Sequence, residues 1–586
     1  MNVPRPLRRW WLAALPVWHH PSYRLPLTSP VMDANRADRA LTWALDAAVV
    51  RSDAVRYPEE VSWDDVALVH DDAYLAELDR PGVVAAIVGA DQARISVREV
   101  VETWRRATAG TVEAVRHVLA HGGRAANLLG GFHHAERDKG GGFCALNDVA
   151  IAVASARRGG FTGRVRIVDL DAHPPDGLVA CLGDDPGVEI RSLSVASHWS
   201  VPPSPRLIDA RVGTGARDGE YLRAVDALLA RADRVDLVIY LAGADPLAGD
   251  ALGGMNVSAE GLRARDRRVL ASAGATPLVM VPAGGYHPNS WRVLGATLAE
   301  LVGVHEEIPP DYDPMARRSR AIAHALDPAA LGEPADVLLT EAELLGSLGV
   351  PESQEPRFLG YYTRHGLEHA LSAHGYFTTL RRLGFAELRV ELEPGTSDRR
   401  GTGPDRMRVT AAVGGERAAL VDLSASIREI GGFRVLFLEW LELTDPRAPF
   451  TQGRPALPGQ RKPGLGVAEE TLQLLVRAAE RLELAGMAFV PAHYHVAWMA
   501  RASFVVLDPE LRGRFRALVR VLSGVPLAEA TRRMASPGVP TEDGEVAKWI
   551  PTEMITPFDE RLAGVIARGE PAAAAAEERW SVRLVG

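Results

Sequence analysis

The chain has 586 residues, 47% of them hydrophobic and 24% charged, an ordinary globular balance that excludes a disordered or fibrous protein. Its 66 basic and 75 acidic residues give a net charge of -9 with no block of like charge, which argues against direct nucleic-acid binding. Cys144 and Cys181 are too few for a disulfide framework and suit a reducing compartment. No uncharged run reaches the ~18 apolar residues of a membrane helix, so a soluble cytoplasmic protein with no membrane partner is expected.

Arg5 to Arg9 and the apolar run Trp10 to Trp18 imitate a secretory leader. Pro16 interrupts that run, however, and His19-His20 ends it without a small-residue cleavage site, so a first β-strand is expected. From about residue 10 to 304, strand patterns alternate with helical ones. The clearest strands are Val165 to Leu170, Asp236 to Ala242 and Pro277 to Pro282; Asp218 to Arg231 and Ser258 to Ala273 read as helices. Such alternation predicts an α/β fold, a parallel sheet with helices on both faces.

Residues 305–335, with Pro309-Pro310, Asp313-Pro314, Asp327-Pro328 and Glu333-Pro334, read as a linker containing a short helix. Residues 336–586 then change character. Strand-like runs appear at Leu388 to Leu392, Arg406 to Val413, Ala418 to Leu423 and Phe433 to Leu443, with Gly414-Gly415 as a hairpin turn. An amphipathic helix follows from about Val467 to Leu484, then a strand-like Ala488 to Pro491. Ala572 to Ala576 reads as a helix end. The C-terminal part is therefore expected to be a separate α+β domain.

Three strand candidates in the first part end in polar residues: Asp169-Leu170-Asp171-Ala172-His173, Gly243-Ala244-Asp245-Pro246 and Gly284-Gly285-Tyr286. Ligands of parallel sheets gather beyond the carboxyl ends of the strands, so these ends plausibly converge. Residues two apart on an extended segment face the same side, so Asp171 and His173 can reach one metal ion, with Asp245 as a third ligand. Two carboxylates and one imidazole without a thiolate suit a catalytic Zn²⁺ with open positions. A second cluster, Gly130-Gly131-Phe132-His133-His134 followed by Gly140-Gly141-Gly142-Phe143-Cys144, looks like a loop folded tightly against that site.

Together these segments resemble the zinc-dependent histone deacetylase family, with its acetylpolyamine and acetoin-utilisation relatives. The resemblance rests on Gly130 to Asp148 (GGFHHAERDKGGGFCALND), Val168 to Gly177 (VDLDAHPPDG), Gly243 to Ser258 (GADPLAGDALGGMNVS) and Gly284 to Tyr286, and covers roughly residues 15–304. Asp-Leu-Asp-Ala-His, Leu252-Gly253-Gly254 and Arg265-Asp266 look closest to the class IV branch. The resemblance implies a deacetylase/arginase-like α/β domain over residues 1–304 that hydrolyses acetyl or longer acyl groups from lysine side chains of proteins or peptides. It also implies one Zn²⁺ on Asp171, His173 and Asp245, His133 and His134 as the acid–base pair backed by Asp169 and Asp176, and Tyr286 as the donor to the oxyanion. Gly142 and Phe143 would line the substrate tunnel, and a structural K⁺ would sit on the backbone oxygens of Asp169, Asp171 and His173 with the Ser192 hydroxyl.

Several positions depart from the family pattern. Pro174-Pro175 stands where the family has His-Gly, which stiffens the loop after the metal histidine and removes backbone donors. No second aromatic tunnel wall is evident; Arg211 or Val212 falls near it, and an absent wall would admit longer acyl groups. Leu252 occupies the place of a glutamate gatekeeper in polyamine-specific relatives, which favours acyl-lysine over acetylpolyamines. Arginase-like ureohydrolases need a further Asp two residues after the histidine; here Pro175 stands there, so a binuclear site is not expected. The rival readings are a small-molecule deacylase, a binding protein without turnover, and a bifunctional protein. The last draws on Arg461-Lys462-Pro463-Gly464-Leu465-Gly466, which weakly resembles the acyl-CoA loop of GCN5-related acyltransferases. His493, Tyr494 and His495 read as ordinary structural residues. Oligomeric state is not legible in the sequence.

Overall fold

Short runs rich in Val, Ile and Leu, buried on both faces, are what a parallel sheet requires, and the first half of the chain supplies them. The structure, a computed structural model, describes residues 14–24, 32–89, 96–230, 233–332, 356–393, 395, 403–450, 455–542 and 544–584. Among the described residues, eight strands form the first sheet: β1 Val17–Trp18, β2 Val55–Arg56, β3 Arg124–Asn127, β4 Val165–Asp169, β5 Val188–Val195, β6 Leu207–Val212, β7 Leu237–Leu241 and β8 Leu278–Val281. Their order is β2-β1-β3-β8-β7-β4-β5-β6, and every pairing is parallel. The three expected strands therefore exist within one residue of their predicted ends. They are neighbours: Asp169 of β4 pairs with Leu241 of β7, and Leu241 with Val281 of β8.

The chain passes from β4 outward to β5 and β6, then returns across β4 to β7 and β8. The carboxyl ends beside that reversal form the crevice where open α/β sheets bind ligands. Helices Asp218–Leu229 and Ala259–Ala273 match their predictions. The second starts where the Ser258 hydroxyl accepts the Gly261 N–H. The first strand is shorter than expected, two residues against a predicted nine; residues 10–13 lie outside the described residues.

Chain contacts separate two compact units, Met1–Pro314 with Arg382–Gly384, and Met315–Arg381 with Phe385–Gly586. Much of the expected linker is helical: Pro314–Ala325 and Pro328–Gly332. Pro314 and Pro328 each open a helix, where the missing N–H costs nothing, so these prolines mark starts rather than loops.

In the second unit, β9 Ala386–Glu393, β10 Asp405–Val413, β11 Glu416–Ile430 and β12 Phe433–Leu443 form an antiparallel meander. Gly414 and Gly415 turn between β10 and β11 with φ of 60° and 88°, the left-handed pair a two-residue hairpin favours. The helix Ala468–Arg481 then leads to β13 Gly486–Phe489, which pairs parallel with β12. β14 Val505–Val506 and β17 Met554–Pro557 extend the sheet beyond β13, and β15 Val539–Pro540 and β16 Val546–Ala547 make a separate hairpin. Ala572 to Ala576 lies inside the helix Glu570–Arg583 rather than at a helix end.

Both cysteines are free and buried. Burial pushes the Cys181 thiol up to about 12 and the Cys144 thiol well above its usual value. Since the thiolate is the reactive form, a thiol reagent is expected to label both cysteines only after unfolding. Rapid labelling of the native chain would contradict this burial.

Candidate active site

The loop after β3 and the ends of β4, β7 and β8 meet beyond one edge of the sheet. Asp171 and His173 follow β4, Asp245 follows β7, and Tyr286 follows β8. The Nδ1 of His173 lies 2.9 Å from Asp171 Oδ1 and 2.9 Å from Asp245 Oδ2. Among the described residues these three alone form a cluster of potential metal ligands, with their donor atoms within 4.8 Å of one another.

Asp171 and Asp245 are buried, at 1% and 0% exposure. Such a set could hold a metal ion, because buried anions are costly unless paired. Burial alone would lower the His173 pKa, but the two carboxylates reverse the effect and hold it at about 11. Backbone donors fix the carboxylates: Gly284 N–H to Asp171 Oδ2 (2.7 Å) and Ala172 N–H to Asp245 Oδ1 (3.1 Å). Gly284 is required here, as a Cβ would lie 2.6 Å from Asp171 Oδ2. Behind Asp245, the fully buried Arg265 guanidinium donates to Gly243 O and to Asp266.

Two histidines with carboxylates behind them face this cluster. The Nδ1 of His133 is 2.8 Å from Asp169 Oδ2, and the Nδ1 of His134 is 2.6 Å from Asp176 Oδ1. Both Nε2 atoms consequently point inward, 3.1 Å apart. Burial opposes protonation of His133, yet Asp169 and Asp171 outweigh it and raise its pKa to about 9. Burial and the neighbouring charge of His133 lower that of His134. The surroundings thus push the two imidazoles apart, His133 towards its cationic form and His134 towards its neutral one. Buried Asp148, inside the quoted Gly130–Asp148 segment but given no role there, accepts the N–H groups of Gly131 and Phe132 and so holds the loop.

The phenol of Tyr286 is kept well above its usual pKa by burial and by Asp171 and Asp245, so it remains an O–H donor. Asp250 Oδ2 accepts the Tyr286 N–H (2.7 Å) and sets its backbone. Phe143 sits in the left-handed region, φ 68°, with its ring 5.7 Å from that of Tyr286. At Gly142, φ 54°, a Cβ would lie 2.5 Å from His134 Cδ2. Gly142→Ala is therefore expected to displace the His134 ring, read as a shift of its imidazole NMR resonances; unchanged resonances would contradict the placement.

Of these residues, His133, His134, Gly142, Phe143, Asp171 and Tyr286 line a cavity of about 80 Å³ that also includes Tyr23, Arg36 and Trp104. Arg36, unnoticed in the sequence, donates to the carbonyls of Ala283 (2.6 Å) and Gly284 (2.9 Å) beneath Tyr286. Leu252 is 39% exposed and outside that lining. The Pro174-Pro175 loop does not disturb the second dyad: the Asp176 N–H donates to Pro174 O, and Asp176 opens the helix Asp176–Leu182.

Arg211 lies on β6 and reaches the carbonyls of Val195 and Trp199. Two aromatic rings sit beside the site outside the cavity lining: His198, stacked on His173 at 4.7 Å, and Trp199, 5.6 Å from the His134 ring. Ser192 pairs with Asp169 across β4 and β5, and its Oγ is buried without a hydrogen-bond partner. An orphaned hydroxyl there fits a cation beside the Asp169–His173 backbone.

Elsewhere, the Arg461–Gly466 loop is tied to the end of β12 by Leu465 N–H to Leu443 O and Asp445 N–H to Pro463 O. The strand–helix–strand unit around it is present, but Leu465 N–H, one of the amides a phosphate cradle would use, is engaged. The rings of His493 and His495 stack at 5.6 Å, with no ligand cluster around them among the described residues. No described helix is long and apolar enough to cross a membrane.

Comparison with known proteins bears on residues of the first unit. The histone deacetylase domain family matches residues 30–301. The chain is 33% identical over 282 residues to histone deacetylase 2 of Arabidopsis thaliana, spanning 46% of this chain and 73% of that protein. It is 28% identical over 293 residues to histone deacetylase 8 of Xenopus laevis, 44% of this chain and 88% of that protein. A solved homologue from Aquifex aeolicus, 22% identical, covers 50% of this chain and 85% of that one with a TM-score of 0.43.

Proposed function

Because this chain belongs to the histone deacetylase family, we propose that it is a zinc-dependent amide hydrolase releasing acetyl, and to a lesser extent longer acyl groups, from lysine side chains of proteins or peptides. The observation that carries the reading is the cluster of Asp171, His173 and Asp245 beside two carboxylate-backed histidines and a protonated Tyr286, with Asp171, both histidines and Tyr286 lining one cavity.

The donor set fits Zn²⁺ on Asp171, His173 and Asp245; when bound, it would polarise the amide carbonyl and lower the pKa of a water molecule. His134, pushed towards its neutral form, offers its Nε2 to take the proton of the attacking water. That proton then passes to the nitrogen of the leaving lysine amine. His133 remains cationic beside Asp169 and stabilises the negative charge that develops on the carbonyl oxygen. Tyr286 donates its O–H to the same oxygen. Phe143 on one side and His198 and Trp199 on the other would enclose the lysine stem. With His198 and Trp199 in that role no widened tunnel is needed, and acetyl is the expected best substrate. K⁺ is proposed at Ser192 and the backbone of Asp169, Asp171 and His173.

The rim favours acyl-lysine over acetylpolyamines. Leu252, exposed outside the cavity lining, carries no charge, and the Asp250 carboxylate is turned to the N–H groups of Leu252, Gly253 and Tyr286. With matched acetyl groups, a lysine peptide is expected to be hydrolysed with a kcat/KM at least about tenfold above an acetylpolyamine. The reverse order would overturn this substrate class.

A further inference from the structure

Asp176 differs from its counterpart in the first dyad. Asp169 is fully buried, with its second oxygen taken by the Asp171 N–H (3.1 Å). The Asp176 side chain is 27% exposed. Its Oδ1 accepts from His134 and from the Gly177 N–H. Its Oδ2 accepts the indole N–H of Trp199 at 3.0 Å. A carboxylate at the protein surface would otherwise exchange that bond for water and rotate.

Trp199 is itself held. Its carbonyl accepts from Arg211 of β6, 3.1 Å away. Its ring stacks on His198 at 5.8 Å, and the Nδ1 of His198 is 3.1 Å from Ala172 O, between the two metal-ligand candidates that follow β4. The loop thus connects β6 and the segment after β4 to the dyad through one indole N–H, while 49% of Trp199 stays exposed.

We propose that Trp199 is a positioning residue of the hydrolytic site: its indole N–H locks the Asp176 carboxylate behind His134, and its ring face separately borders the entering substrate. Outer partners of this kind act through the group they orient. The two roles separate in kinetics. Trp199→Phe keeps a ring and deletes the donor, so kcat on an acetyl-lysine peptide falls about tenfold with KM nearly unchanged. Trp199→Ala lowers kcat similarly and also raises KM several-fold. Loss of an interaction realised only in the transition state appears in kcat, and loss of uniform binding in KM.

The inference rests on the deacylase reading, so a second readout needs no turnover. In the full-length zinc-loaded protein labelled with ¹⁵N-tryptophan, one of twelve indole resonances, identified by its disappearance in Trp199→Phe, is expected to shift in Asp176→Ala. Wild-type kcat in Trp199→Phe, or an effect confined to KM, would overturn the proposal. So would an indole resonance that ignores Asp176→Ala. Inactivity of the wild type on every acyl-lysine peptide would count against the function proposed above, and the indole shift would still decide whether Trp199 holds Asp176.

Discussion

Asp245→Ala is expected to lose both zinc and hydrolysis, with turnover falling at least ~10³-fold. Asp245 is fully buried, 2.9 Å from His173 Nδ1, and its other oxygen receives the Ala172 N–H. Removing it leaves one carboxylate and one imidazole, too few to hold Zn²⁺ against dilution, and an unpaired buried N–H. Asp245→Asn separates the two effects, since it preserves volume and hydrogen bonding while lowering ligand charge. It is expected to fold like the wild type, by thermal unfolding, and still bind zinc poorly. Full zinc and full activity in either variant would show that the ligand assignment is wrong.

Tyr286→Phe is expected to do the opposite to the metal. The phenol ring packs 5.7 Å from Phe143 and edge-on to His173, and phenylalanine keeps those contacts. Only the O–H is lost, and the hydroxyl is not among the metal donors. Turnover should therefore fall by ~10²–10³-fold, as when one oxyanion donor is removed, with zinc content and KM close to wild type. A variant that loses zinc in proportion to activity would make Tyr286 a structural support.

The chemistry of the first unit is legible in its sequence because the strand ends that bear it are local. Asp169, Asp171 and His173 lie within five residues, and the alternation of an extended chain places the last two on one side. What joins them to His133, Asp245 and Tyr286 is the sheet order, which sequence patterns do not state. Trp199 was missed for that reason: it sits in a loop with neither helical nor strand period, and its value comes from contacts with Asp176 and His134. Arg36 lies on the helix Arg36–Asp46, where nothing local distinguishes it from a surface arginine. In the second unit the meander is legible strand by strand. β11 nevertheless runs to Ile430, seven residues past its predicted end, because Ser424, Ser426 and Arg428 dilute the apolar pattern that the pairing with β12 sustains. The helix at Pro314 was read as linker since proline marks a break and a helix start alike.

The central claim is that this constellation hydrolyses acyl-lysine amides with bound zinc. The direct test strips the full-length protein with a chelator, restores zinc in steps, and follows release of acyl groups from a lysine peptide series running from acetyl to long-chain acyl. The account predicts no turnover in the stripped protein, activity rising with zinc to a plateau at one equivalent, and acetyl as the best substrate. One equivalent of bound zinc with no hydrolysis of any peptide in the series would contradict it.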